Sequence, residues 1–324
     1  MNRTGNRRVV RLVQLALGAV VVVLAVRYVL RHWDELRRQS LDWEFHPLPL
    51  VAALLLTWAM YALQIQAWRV MLRGWGAELP PLAAARIWTV SGLGKYLPGK
   101  VWAIAGMALM SQRAGVPAWV STGSSVILQA LAVGTGAVIV GATGTARLEG
   151  SYPWIGDALL ALAVASVVGI AVLLWPPATR RILRLAGIDA AHASAPRLGS
   201  VLFGVACNLV AWAGYGTAFW LMARGLLPAT AERLPLGVAI GAFTASYVAG
   251  LLAIFAPGGV GVREGLVLLM LGGPLGTGAA LALAAASRVM LTITEFGAAA
   301  PFVLFSGERP RGERSREERS HVAP

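Results

Sequence analysis

The sequence predicts an all-α polytopic membrane protein, and three observations carry that prediction. Of 324 residues, 57% are hydrophobic and only 13% charged, with a mean hydropathy of +0.67, a composition no soluble domain of this length shows. The charge-poor stretches reach the length of about 20 residues that a bilayer-crossing helix needs. The arginines crowd into the N-terminal segment, one mid-chain stretch and the C-terminal stretch, each beside an apolar run, as the positive-inside rule requires. The net charge of +13 therefore reads as orientation and attraction to anionic lipid heads, not as nucleic-acid binding. The single cysteine, Cys207, excludes an intramolecular disulfide and any multi-cysteine metal site.

The basic start followed by an apolar run over 12–26 has the outline of a signal peptide. The run ends in Arg27, Tyr28, Val29, Leu30 and Arg31 with no small-residue cleavage site, so it is expected to stay as a first span. Charge-poor runs fall near 10–30, 48–68, 82–112, 117–143, 154–175, 199–223, 235–272 and 275–305. The runs 82–112 and 235–272 are too long for one helix, and both are interrupted by Pro and Gly. Each is read as a helical hairpin, re-entrant or fully crossing, that returns to the side it entered from. That leaves about six full spans. Parity then brings every arginine-dense segment to one face, with both termini on it. Each half reads span, span, hairpin, span, in opposite orientation: an inverted repeat with halves of about 10–143 and 154–305. The expected organisation is one integral membrane domain over 1–306 and a charged cytoplasmic tail over 307–324 that is too polar to fold. The polar segment 31–47, with Trp33, Trp43 and Phe45 among charges, suits an amphipathic piece along the outer interface.

The two interruptions hold the candidate site. In the first, Lys95 and Lys100 flank Leu97, Pro98 and Gly99. Pro98 cannot continue an incoming helix, and Pro-Gly suits a turn before a new one. The new helix would present free N–H groups and a positive dipole end, which with a lysine makes an anion site for phosphate or carboxylate; otherwise both lysines snorkel to the interface. In the second, Pro257, Gly258, Gly259, Val260 and Gly261 form a glycine-rich turn, followed at once by Arg263 and Glu264. A charged pair at this depth is costly unless it faces a polar interior. Arg263 could hold an anionic headgroup by a bidentate contact, and Glu264 could pair with an arginine or carry a proton; otherwise the two form a structural ion pair. Arg288 and Glu295 stand seven residues apart on one helix face, too far to pair with each other, which predicts partners on other elements. Arg288 with Glu264 and Glu295 with Lys100 are the expected pairings.

Gln64, Gln66, Gln129 and Asn208 are uncharged polar residues within spans and are expected to act as interhelical glue. Tryptophans near span ends, such as Trp75, Trp119, Trp154 and Trp175, suit the interfacial belt. No cofactor motif, metal-ligand cluster, nucleotide-binding loop or nucleophile elbow is present in the sequence.

These motifs resemble the lysylphosphatidylglycerol synthase transmembrane family, the flippase-like membrane region found joined to an aminoacyltransferase domain or standing alone. The matching stretches are Gly92 to Lys100, Gln112 to Val116, Pro257 to Glu264 and Arg288 to Glu295, and the likeness runs from about 10 to 305. The resemblance implies movement of a lipid with a charged headgroup between leaflets, with the Pro-Gly turns and Lys100, Arg263 and Glu264 lining its path. Two departures stand out. Many members carry a Glu-Arg pair after the first hairpin, where this chain reads Ser124, Ser125, Val126, Ile127, Leu128 and Gln129. An aminoacyltransferase domain is also missing, so synthesis of lysyl-phosphatidylglycerol is not expected.

The leading expectation is thus a non-enzymatic lipid translocase of the cytoplasmic (inner) membrane. Its partner is a membrane lipid with an anionic or phosphate-linked headgroup; nucleic acid is not a partner, and a homo-oligomer or an envelope-biosynthesis partner stays open. A polyprenyl-phosphate-dependent glycosyltransferase using Asp42 and Glu44 is the main alternative, and a non-transporting accessory subunit is another.

Overall fold

The computed structural model describes residues 43–96, 101–143, 154–185, 196–253 and 256–304. The expected first span, residues 31–42, the turn residues Pro98, Gly99 and Lys100, and the tail 307–324 lie outside the described residues.

Among the described residues, eleven helices follow in order: α1 (Pro47–Gly74), α2 (Pro81–Gly92), α3 (Val101–Arg113), α4 (Ala118–Thr143), α5 (Trp154–Leu174), α6 (Pro176–Leu185), α7 (Leu198–Leu226), α8 (Pro228–Ala231), α9 (Leu236–Leu252), α10 (Val262–Leu275) and α11 (Thr277–Leu304). Short 3₁₀ turns at Leu93–Tyr96 and Pro257–Gly259 follow α2 and α9. Four helices, α1, α4, α7 and α11, are long and apolar enough to cross a membrane; the apolar runs read at 48–68, 117–143, 199–223 and 275–305 fall on them. The two overlong runs are each divided in two. α2 and α3 have 12 and 13 residues, and α9 and α10 have 17 and 14. At about 1.5 Å per residue these legs run roughly 18 to 26 Å, short of the ~30 Å hydrocarbon core. The legs of each pair pack on one another.

α1 and α7 form an antiparallel pair tied at both ends. Beside the start of α1, His46 N–H donates to Gly225 O at 2.9 Å; at its end, Arg197 N–H donates to Gly74 O at 3.3 Å. Arg73 and Arg197 therefore share one end of the molecule, as the arginine distribution predicts. Midway, Gln64 Nε2 donates to Asn208 Oδ1 at 3.1 Å, interhelical glue as expected. Gln129 departs from that expectation: it is exposed on α4, about 100° around the helix from buried Leu128. Nor are the tryptophans all at span ends. Trp68 is wholly buried and donates to Ser124 Oγ at 2.9 Å, so its indole serves the core.

Small residues set how closely these helices approach, since lipid offers no hydrophobic drive between them. A Cβ added at Gly216 of α7 would stand 2.4 Å from Cα of Ile240 on α9, whereas one at Gly214 would meet only the flexible side chain of Met60. α11 is the most enclosed of the four long helices, with 67% of its apolar window buried against 11% for α1. It packs on α1, α2, α7 and α10 and so reaches both divided runs.

Gly216→Ala should lower stability by about 1–3 kcal/mol, the usual cost of overpacking, because a backbone must shift. Gly214→Ala should lose less, because a methionine can move. Thermal unfolding of the detergent-purified variants measures the difference, and equal losses would show that backbone approach is not the limiting contact.

Candidate functional site

The first break lies on its own hairpin. After α2 the chain turns through Leu93–Tyr96, and Gly94 sits so close to the start of α3 that a Cβ there would be 2.7 Å from Ala103 N. The turn presents Lys95 and Tyr96 to α11. Lys95 Nζ pairs with Glu295 Oε1, and Tyr96 Oη donates to Glu295 Oε2 at 2.6 Å. The Tyr96 ring stacks on Phe296 with centroids 5.8 Å apart. The Glu295 side chain is 5% exposed and that of Lys95 30%.

The second break needs glycine for its shape. Gly258, Gly259 and Gly261 have φ of 58°, 72° and 85°, a region that costs any residue with a Cβ. α10 then starts at Val262, and Glu264 reaches back to accept the Gly261 N–H at 2.7 Å, satisfying a helix-start donor with a negative charge. The other Glu264 oxygen lies 3.6 Å from Arg288 Nη1. Arg288 Nη1 also donates to Gly258 O at 2.8 Å, so one guanidinium holds both the turn and the carboxylate that caps the following helix.

Arg263 turns elsewhere. Its stem runs over Gly250 and Gly259; a Cβ at Gly250 would be 2.5 Å from Arg263 Cγ. Its guanidinium lies over the Tyr247 ring at 4.5 Å and the Phe243 ring at 5.9 Å. Aromatic faces hold a cation without neutralising it. Arg263, Glu264 and Arg288, with Ser246 and Ser287, line a closed seam between α9, α10 and α11 that is too tight to hold a water.

The two breaks meet. A Cβ at Gly258 would lie 3.5 Å from the Tyr96 ring and 3.1 Å from Arg288 Nη2. Three cations (Lys95, Arg263, Arg288) and two carboxylates (Glu264, Glu295) thus gather around α11, with a surplus of one positive charge among the described residues.

The structure brings together Lys95, Gly258, Gly259, Gly261, Arg263, Glu264, Arg288 and Glu295, and the expected Arg288–Glu264 pairing is present. Among the described residues Glu295 pairs with Lys95, because the 3₁₀ turn carries that residue against α11; the expected partner, Lys100, lies outside the described residues. Arg263 and Glu264 do not pair with each other: as neighbours on a helix they point about 100° apart. Sequence reasoning passed over the aromatic groups, Tyr96 and Phe296 at one break and Phe243 and Tyr247 at the other. It also passed over Tyr61 and Tyr215, both within electrostatic range of the Lys95–Glu295 pair. A signal was available: five of the six tyrosines lie inside charge-poor runs, among them Tyr61, Tyr96, Tyr215 and Tyr247. Of the acidic residues of the glycosyltransferase alternative, Asp42 lies outside the described residues and Glu44 is exposed and bonded to His46 at 2.9 Å.

Arg288→Met should cost about 3–5 kcal/mol of stability, because it strands the buried Glu264 charge. Adding Glu264→Gln should recover much of that loss, since glutamine can still accept the Gly261 N–H. Thermal unfolding of the wild type, both single variants and the double variant tests it; additive losses would show that the two side chains are not coupled.

A family model described as the lysylphosphatidylglycerol synthase TM region matches residues 11–296. No curated protein and no solved structure matches the chain.

Proposed function

This chain belongs to the lysylphosphatidylglycerol synthase transmembrane-region family, and from that premise we propose that it moves a lipid with an anionic or phosphate-bearing headgroup between leaflets. One observation carries the reading: the meeting of the two breaks on α11, where two buried carboxylates and three partly buried cations leave one positive charge over among the described residues. An unpaired cation at membrane depth is costly, and a monovalent headgroup that reaches it balances it. Arg263 is the side chain best placed to receive that headgroup. Its guanidinium is held by rings that leave its charge uncancelled, and its fork suits a phosphate. The alkyl tails remain in lipid beside the short hairpin legs.

In this reading the two hairpins are re-entrant and enter from opposite faces, as halves of an inverted repeat around a site near the midplane. The breaks supply irregular backbone where it lines a cavity, the setting in which a membrane tolerates it. Rocking of one half against the other carries the headgroup across without chemical change, which makes the protein a translocase and not an enzyme. The protein lies in the cytoplasmic membrane with both termini inside, since that orientation puts Arg73, Arg197 and the basic terminal segments on the cytoplasmic side.

Lipid mass spectrometry on protein purified in mild detergent tests the reading. Wild type should retain one class of phosphate-headed lipid above its share in the membrane. Arg263→Ala should retain it at least about tenfold less, the loss expected for one charge-assisted contact, while still inserting and purifying as wild type does. The same bulk lipid on both proteins would refute a headgroup site at Arg263.

A further inference from the structure

We propose that the headgroup taken by this site carries a polyol on its phosphate: an uncharged, hydroxyl-rich group of the glycerol or inositol kind. The inference rests on the translocase reading and names the substrate class of the same site.

Four phenols from four elements converge there. Tyr96 comes from the first break, Tyr61 from α1, Tyr215 from α7 and Tyr247 from α9. Tyr61 and Tyr215 lie within electrostatic range of Tyr247, Lys95 and Glu295, and Tyr247 lies within that range of Lys95. The rings form a continuous wall. Tyr215 stacks on Phe243 with centroids 6.1 Å apart, and Phe243 meets Tyr247 at 6.0 Å. Tyr247 in turn carries the Arg263 guanidinium at 4.5 Å, so the wall leads from α7 to the cation that suits a phosphate.

One of these phenols is in use: Tyr96 donates to Glu295 at 2.6 Å. The hydroxyls of Tyr61, Tyr215 and Tyr247 make no hydrogen bond among the described residues, and all three residues are half-buried. A tyrosine hydroxyl inside a protein normally finds a partner, and phenylalanine would build the same wall with no oxygen left over. Each free phenol can both donate and accept. One turn along α1 from Tyr61, Gln64 donates to Asn208 while its Oε1 is buried without a donor.

The partner these groups lack has to donate as well as accept. Phosphodiester oxygens only accept, and a guanidinium answers them. A headgroup ammonium only donates. The carboxylates it would seek here, Glu264 and Glu295, each hold a cation already, and Lys95 and Arg263 would repel it. Alcohol hydroxyls donate and accept, and they bring no second charge into a poorly hydrated interior. An aromatic wall with a few convergent polar groups is the usual construction for holding such a small uncharged moiety.

Native mass spectrometry of the full chain in mild detergent tests this with short-chain lipids. Phosphatidylglycerol, phosphatidylinositol and phosphatidylethanol share one phosphodiester charge, and the last has no hydroxyl; phosphatidylethanolamine is the amine control. Wild type should bind the first two about tenfold tighter than phosphatidylethanol, the discrimination expected for two neutral hydrogen bonds. Joint replacement Tyr61→Phe and Tyr215→Phe should shrink that ratio to about threefold or less, whereas Arg263→Ala should weaken binding of all three anionic lipids. Equal wild-type affinity for phosphatidylglycerol and phosphatidylethanol overturns the polyol and leaves the phosphate site standing, as does tighter binding of phosphatidylethanolamine than of phosphatidylglycerol. An undiminished ratio in the double phenylalanine variant overturns the role of the phenols. No binding of any of the three anionic lipids overturns the translocase reading as well. The wild-type ratio decides for or against the polyol even if the phenylalanine variant does not fold.

Discussion

Arg288 and Glu295 stand seven residues apart on α11, about 10.5 Å along its axis, and through them one continuous helix grips two discontinuous ones. A broken helix leaves backbone donors and acceptors that lipid cannot satisfy. At the second break Arg288 takes the Gly258 carbonyl and balances the carboxylate that caps α10. At the first, Glu295 takes Lys95 and Tyr96. Without this central helix neither break could sit where it does, and the enclosure of α11 by α1, α2, α7 and α10 follows from having to reach both.

The two grips differ in kind, and that difference gives the site its asymmetry. The second break is held by a guanidinium and by three glycines with positive φ, a conformation other residues enter only with strain. The first is held by a lysine and a phenol from a four-residue turn. The second also displays Arg263 on its aromatic shelf.

The glycines of the long helices serve a separate end. Gly74, Gly214, Gly216 and Gly225 on α1 and α7 bring their neighbours into contact a Cβ would block. Where the neighbour is backbone, as at Ile240, the spacing is rigid; where it is a methionine, it is not. That antiparallel pair holds its ends together through three backbone hydrogen bonds and frames the site without contributing charge to it.

Much of this was legible in the chain. Apolar runs of spanning length, Pro and Gly inside two overlong runs, and arginines beside the span ends determine by themselves a polytopic helical protein interrupted at two places, because the bilayer sets both the length of an element and the places where charge can stand. The period of a helix likewise shows that Arg288 and Glu295 share a face and need outside partners. Which partners they take, only the tertiary structure decided. Glu295 meets Lys95, and Arg263 parts from Glu264 to lie on Tyr247 and Phe243. Those outcomes depend on how far a 3₁₀ turn carries a side chain and on which ring from a distant helix fills the space beside it. Both are set by packing between segments remote in sequence, for which neither hydropathy nor periodicity holds a signal.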